Sequence, residues 1–499
     1  MKNRYQVLII GAGPVGLLLA CVLKKNGIDV AVIEKRASRS TYSKALSMNA
    51  ASLALLRALG VAQRFERSGK EIGDISIHWN KKRISHIDYR HLSSCYQHIL
   101  AIPQPETERL LEEYFIELKG EIARSATVIA VENSSEMTVI LADGTAINSD
   151  YVVGCDGSHS TVRDLAGITF SGFDYNIDFY LFDAQVSWQG KGNEVHYFVD
   201  EQGFIIVIPL ADGNYRFVLR YPRRDTSKPS VAEYQAILSR YIPQSIVIER
   251  VLWESTSQFY NRLASRYRKG PLFLAGDACH LFSPIGGLGM NTGFQDAWNL
   301  AWKLTAVIHQ HQPDSLLDTY EEERRTVATL LRDSTDTTTR LIARIDRDSE
   351  KTGPWLPHFR NRHLARTLYP QLFSGLSQSY SGSSLICEGG NLSGRYLPYL
   401  TLLQQQKRVM SYDIVDGKHY LLIVYSENLP LQINNQLTDY PLNIYSIDSN
   451  NADKKIEINT GEYIFVRPDG FVAIHRNLAS LDWVAHYFEK HNIRKRCER

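Results

Sequence analysis

Three groups of residues in this 499-residue chain have the types and spacing to do chemistry. The first is Gly11-Ala12-Gly13-Pro14-Val15-Gly16, with Glu34 following 18 residues after Gly16. In a strand-to-helix turn, Gly11 would bend the chain, Gly13 would admit a pyrophosphate, and Gly16 would let helix and strand pack closely. The helix N-terminus would favour phosphate charge, and Glu34 would hold a ribose hydroxyl while repelling a 2′-phosphate. FAD or NAD is therefore expected at this turn rather than NADP. The second group is GDACHLFSPIGGLGMNTG, Gly276–Gly293, with an acid, a thiol, an imidazole and five glycines. Its glycine-rich loop feeds a helix, which makes a second anion site. Two such sites flanking Asp277 suit a flavin dinucleotide, which has a pyrophosphate at one end and a ring that becomes anionic on reduction. Asp277 and His280 could chelate a metal, but no third ligand is near in sequence and no metal is expected. The third group, Tyr151–Arg163, contains CDGSHSTVR and reads as strand, turn and helix, with Ser160 as the helix cap.

These groups need elements to position them. Val7–Ile10 reads as a buried strand, and Leu17, Ala20, Cys21 and Lys24 follow at helical spacing until Gly27. PLFLAGDACH reads as a buried strand ending at Gly276-Asp277. A helix is expected from Asn291, with Phe294, Ala297, Trp298, Ala301 and Leu304 on one face. Between Asn176 and Tyr221, runs such as EVHYFVD and GFIIVIPL predict an antiparallel sheet. Helical patterns cover roughly 291–345, and a Ser-, Gly- and Tyr-rich stretch at 374–394 reads as a linker. HYLLIVYSE, LNIYSID, YIFVRPDG and FVAIHR then predict a small separate α/β domain.

Composition narrows the classes. A net charge of +2, from 56 basic and 54 acidic residues, gives no bulk field for nucleic acid. The basic tail Arg494-Lys495-Arg496 reads as a solvated terminus. The six cysteines contain no CxxC pair, which argues against a disulfide framework or a zinc ribbon and for a reducing compartment. The apolar stretch from Val7 to Leu23 is broken by Gly11, Gly13, Pro14 and Gly16 and is too short for a bilayer. A cytoplasmic protein without a membrane span is expected.

GAGPVG with Glu34, CDGSHSTVR and GDACHLFSPIGGLGMNTG together resemble the three fingerprints of the FAD-dependent aromatic hydroxylases, the p-hydroxybenzoate hydroxylase fold. IPQPETERLLEEY, Ile102–Tyr114, resembles the family segment whose glutamine, here Gln104, lies on the ribityl side of the flavin. FVRPDGFVAIHR, Phe465–Arg476, resembles the end of the C-terminal thioredoxin-like domain that marks the phenol and polyketide hydroxylase branch. The resemblance implies an α/β fold: a discontinuous Rossmann-type FAD-binding domain over 1–175 and 260–373, and a substrate-binding antiparallel sheet over 176–259 with part of 71–105. The linker 374–394 and a thioredoxin-like domain over 395–499, without CxxC, complete it.

Carried over, the resemblance implies that Gly11, Gly13 and Gly16 hold the FAD pyrophosphate and Glu34, beside Lys35, the adenosine ribose. Asp277 contacts the ribitol. Pro284, Gly287, Leu288, Gly289, Met290 and Asn291 carry the flavin ring, with backbone N–H groups toward its pyrimidine edge. Asp156 supports FAD indirectly, and His159 is a candidate NADPH contact. Lys44 stands where many relatives have arginine, replacing a bidentate contact with a point charge. Leu288 stands where glutamine is frequent. The C-terminal domain reads as a packing or dimer element, and a homodimer stays open.

The activity implied is reduction of FAD by NADPH or NADH, capture of O2 as a flavin C4a-hydroperoxide, and transfer of one oxygen atom to a phenolic or polycyclic aromatic substrate. No second strand-linked GxGxxG exists, so the nicotinamide is expected to dock transiently. No catalytic base is assigned; His196 and Arg216, on the predicted substrate sheet, are candidate substrate contacts, with packing roles equally open. A Baeyer–Villiger or epoxidising enzyme shares this scaffold. A non-catalytic FAD-fold binding protein would keep the glycines without oxygen chemistry. A flavin halogenase would carry WxWxIP, which this chain lacks.

Overall fold

The computed structural model describes residues 2–40, 45–133, 136–220, 229–283, 285–309, 312–342, 361–404, 407–426, 437, 439–448 and 458–495. The run Val7–Ile10 is apolar on both faces because it lies in the middle of a sheet covered on both sides. That sheet runs Arg268–Lys269, Leu272–Leu274, Ala146–Gly154, Arg4–Ile10, Val30–Ile33, Glu121–Ala123, and the last five strands are mutually parallel. Register places Ile10 opposite Gly154, and Gly154 opposite Leu274. All three chemical motifs therefore leave the carboxyl ends of adjacent strands at one level, the crevice where open α/β sheets bind ligands.

The second sheet has eight strands in the order His280–Leu281, Ile246–Ala264, Phe170–Trp188, Tyr215–Arg220, Phe204–Pro209, Glu194–Val199, Asp74–Trp79, Lys82–Asp88. It is antiparallel except where Glu194–Val199 runs parallel to Asp74–Trp79. Strand alternation divides its side chains. Phe179, Val199, Phe204 and Ile206 join the main core shared with the first sheet. Phe182, Phe198, Ile205 and Phe217 pack on the opposite face with the helix Val231–Tyr241, which begins with a capping box at Ser230.

Two long helices follow, Leu288–Ile308 and Asp318–Ile342. The C-terminal sheet has six strands in the order Lys407–Met410, Thr401–Gln404, Leu442–Ile447, Tyr420–Val424, Glu462–Val466, Val472–Asn477. It is welded to the long helices by buried charge. Arg467 pairs with Glu323 and Asp469, Lys303 donates to Glu323 at 2.7 Å, and Trp302 Nε1 donates to Asp469 at 3.1 Å. Residues 374–394, read from composition as a linker, take part in this packing. The Tyr380 ring stacks on Phe471 at 4.0 Å, its hydroxyl accepts from Arg324 at 2.9 Å, and Ser383 donates to Glu323 at 2.6 Å. Composition reports polarity and glycine content but not these long-range partners. Among the described residues, no helix is long and apolar enough to cross a membrane.

Candidate active site

The first glycine turn is tight because backbone lies against it. Gly11 has φ +109°, and a Cβ there would run into the Cys155 carbonyl; a Cβ on Gly16 would run into the Gly11 carbonyl. Gly13 is different: a Cβ there meets nothing within 4 Å. Gly13 caps the helix Pro14–Lys25 without a side-chain acceptor, and the first turn holds no acidic residue. The start of that helix thus has open space beside Gly13 and no side chain to satisfy the amides after Pro14, which fits a phosphate. Glu34, only 4% exposed, accepts from Ala12 N at 2.8 Å, Arg36 N at 2.9 Å and Arg36 Nε at 3.1 Å. Burial pushes its carboxyl up, but these donors and the Arg36 charge outweigh burial and hold it below the ordinary range. An ionised, fixed carboxylate at a strand end fits a ribose hydroxyl. Lys35 is exposed beside it.

The second loop is held by side chains. Gly286 and Gly287 have φ +97° and +67°, and a Cβ on Gly287 would strike Ser47 Oγ. Gly287 caps the helix Leu288–Ile308, again without a side-chain acceptor or an acidic first turn, and Gly289 faces open space. The helix begins at Leu288, three residues before the expected Asn291, so Leu288, Gly289, Met290 and Asn291 form its first turn. Asn291 is the staple: Oδ1 accepts from Asn49 N at 3.0 Å and Ser52 Oγ at 2.6 Å, and Nδ2 donates to Ser47 O at 3.0 Å and Gly287 O at 2.6 Å. Val15 ties the two loops together, since Cβ atoms on Gly276 or Gly293 would crowd its side chain. Gln104 joins this cluster from the start of its helix, with Oε1 accepting from Ala45 N at 3.2 Å and Nε2 donating to Glu108 at 2.9 Å.

Other candidate residues spread around this centre. Asp277 is exposed at the strand end next to Gly276. Asp156 turns its carboxylate away to accept from Ser160 Oγ and from Val162 N at 3.1 Å, and its backbone backs Gly11. Burial raises its pKa. Ser160 caps its helix by accepting from Arg163 N, as expected. His159 is exposed. Lys44 and Pro284 lie outside the described residues.

The two candidates on the second sheet lie on opposite faces. Arg216 shares the face of Val218 in the main core. It is held by Asp183 in a fork, Nε to Oδ1 at 2.7 Å and Nη2 to Oδ2 at 2.8 Å, with its guanidinium 4.8 Å above the Trp253 ring. His196 shares the outer face with Phe198, where its Nδ1 lies 3.4 Å from His78 Nε2 and 3.9 Å from Glu194. The fold thus separates it from the glycine loops. Tyr197, its neighbour in sequence, takes the inner face. The Gly286 backbone amide faces its hydroxyl, and burial pushes the phenol up to about 12. Sequence reading missed Tyr197, although strand parity opposite Phe198 was there to be used.

His280 does not join Asp277. It is fully buried, and its Nε2 lies 2.6 Å from Asp296 Oδ2, while Arg324 Nε donates to Asp296 Oδ1 at 2.8 Å and Gly276 N to Oδ2 at 3.1 Å. Cys279, His280 and Asp296 bring ligand-type atoms within 4.8 Å of one another. The Arg324 guanidinium already neutralises the carboxylate, however, and a divalent cation beside it would be repelled. The cluster ties the strand end to both long helices.

Comparison with known proteins agrees with this geometry. Residues 4–335 match the FAD binding domain family. An uncharacterised aromatic compound monooxygenase of Bacillus subtilis is 31% identical over 495 residues, covering 95% of this chain and 94% of its own. A rifampicin monooxygenase of Rhodococcus hoagii is 30% identical, with 94% of each chain covered. The solved structure of the anhydrotetracycline hydroxylase OxyS from Streptomyces rimosus superimposes with a TM-score of 0.80 at 28% identity, covering 99% of this chain and 100% of that one. With its strand-end crevice and two glycine-capped helices, the chain belongs to the FAD binding domain family and is one of its flavoprotein monooxygenases.

Proposed function

We propose that the chain hydroxylates a phenolic or polycyclic aromatic substrate with FAD, a nicotinamide reductant and dioxygen. The observation that carries this reading is the convergence of two glycine-capped helix starts and three parallel strand ends beside one apolar sheet face. The relatives' names, which include a pentachlorophenol 4-monooxygenase and tetracycline monooxygenases, support the substrate class. When bound, FAD supplies the redox and oxygen chemistry. The helix start at Gly13 and the carboxylate of Glu34 would hold its pyrophosphate and ribose, and Asp277 its ribitol. The first turn at Leu288–Asn291 would present amides to the ring, kept in place by Asn291. Phe179, Phe204 and Ile206 would keep water from the substrate side, and Tyr197 would set the Gly286 backbone at the boundary between ring and substrate. The Arg216–Asp183 pair would place a fixed guanidinium on that face, where an anionic or oxygen-bearing substituent could meet it.

In this reading, 1–175 with 260–373 is the cofactor part and 176–259 with part of 71–105 the substrate part, while the C-terminal sheet is thioredoxin-like in shape and structural in role. The unpaired thiols Cys21, Cys155 and Cys279 support a reducing, cytoplasmic setting. The test is turnover in labelled dioxygen with a phenol and polyketide panel. One labelled atom should enter the product and the other water. Reducing equivalents ending wholly as hydrogen peroxide across the panel would overturn the reading, and ring expansion instead of hydroxylation would select the Baeyer–Villiger alternative.

A further inference from the structure

Behind the second glycine loop lies a small cavity between the helix Leu288–Ile308, the helix Ala50–Leu59 and the turn bearing Asp469 in the C-terminal sheet. Gln295, Trp298 and Asn299 line it from one face of the first helix, and Tyr396 and Asp469 from the C-terminal side. Five buried polar atoms of these residues have no hydrogen-bond partner among the described residues: Gln295 Nε2 and Oε1, Trp298 Nε1, Asn299 Oδ1 and the Tyr396 hydroxyl. Their side chains are not surface groups, for Gln295 is 8%, Trp298 3% and Asn299 1% exposed. Leaving one buried polar group unmet costs about 1–3 kcal/mol, so five on residues that line one space call for a shared partner.

The lining selects its guest. Gln295 offers a donor and an acceptor, Asn299 Oδ1 an acceptor, Trp298 a donor, and Tyr396 either. A cation would leave the donors unmet, and an apolar guest would leave all five so. The cavity measures about 10 Å³, near the lower limit of roughly 10–15 Å³ for one water. We propose that this cavity is a binding site for a single ordered water held by Gln295, Asn299 and Tyr396. That water closes a polar seam along the helix. Asn291 fixes the loop at one end, Gln295 and Asn299 follow at four-residue spacing, and Asn299 Nδ2 donates to Glu323 at 2.7 Å and Asp469 at 3.3 Å at the other. The C-terminal sheet thereby reaches the helix that presents the second loop.

The inference stands apart from the assigned activity, and the test reads stability and density rather than turnover. In the full-length protein, Tyr396→Phe and Gln295→Met should each raise the unfolding constant about 3- to 10-fold, as loss of a met hydrogen bond does. The double variant should show less than the sum, because both groups share one water. A crystal structure of the unaltered protein should show a peak about 2.7–3.2 Å from Gln295, Asn299 and Tyr396. Absence of that peak overturns the proposal. So does a Tyr396→Phe protein of unchanged or raised stability, since deleting a dry, unmet hydroxyl relieves a penalty.

Discussion

The two glycine loops are built on different principles. At Gly11 and Gly16 the chain is pressed against its own backbone, the Cys155 and Gly11 carbonyls, and no side chain can give way there. At Gly287 the near neighbour is the Ser47 hydroxyl, and the loop is kept in shape by the Asn291 side chain, which bonds to Ser47, Asn49, Ser52 and Gly287. The first loop is a fixed frame. The second is a fitted part, reset by changing a side chain. Each loop also contains one glycine, Gly13 and Gly289, beside which there is only open space. The fold itself therefore puts no steric demand on those two glycines.

The largest expected effect separates frame from ligand. Gly16→Ala drives a methyl into the Gly11 carbonyl, and the protein should lose more than about 4 kcal/mol or fail to fold, as read by urea unfolding. Gly13→Ala, three residues away, should leave unfolding within about 0.5 kcal/mol while weakening FAD binding roughly tenfold in a fluorescence titration. Equal losses of stability in both variants would erase the distinction.

Next comes the far end of the second loop's helix. Arg467→Met leaves Asp469 and part of Glu323 buried without their cation, so stability should fall by about 3–5 kcal/mol. A protein truncated near Gly389 loses the same partner and should lose FAD with it. A truncated protein that binds FAD normally would show that the loop needs no anchor from the C-terminal sheet. Asn291→Ala should show a smaller effect, about 1–3 kcal/mol, with weaker FAD binding as the Ser47–Gly287 contact loosens. Unchanged FAD affinity in that variant would mean that the backbone alone shapes the second loop.

How much of this was legible in the sequence follows the same division. The first loop was readable because its reasons are local: strand, glycine spacing, helix and a carboxylate within one βαβ unit. The strands before Cys155 and Gly276 were readable for the same reason, although the second stops at Leu274 and Gly276-Asp277 lies in a turn of 3-10 helix after it. The second loop's glycines were visible but not their keepers, because Asn291 meets Ser52 across 239 residues and Arg467 meets Glu323 across 144. His196, for which a packing role was left equally open, shows a different limit. Its residue type and strand were right, and its face was decided by parity against Phe198. A metal pair of His280 with Asp277 was set aside from the sequence, but the actual partner of His280, Asp296 on the next helix, was not visible there.

The outer face of the second sheet offers the smallest test, because its described residues pack in a core separate from the one that reaches the loops. His78 stacks on Phe198 at 4.4 Å, next to His196, Glu194 and Arg83. Burial, with help from His196, pulls its pKa from 6.5 down to about 4, against a smaller opposing pull from Glu194. The folded value lies below the unfolded one, so between about 6.5 and 4 the unfolded chain takes up the proton more readily. Stability from the neutral ring is complete above that window and lost as pH falls through it. His78→Phe keeps the stacked ring and removes the proton site. Its urea midpoint should therefore fall less between pH 7 and pH 5 than that of the unaltered protein. Part of the slope should persist, since burial lowers His196 in the same direction. FAD affinity should not change with this substitution at either pH. If it does, the outer face communicates with the glycine loops, and the separation drawn from strand parity between His196 and the inner face is wrong.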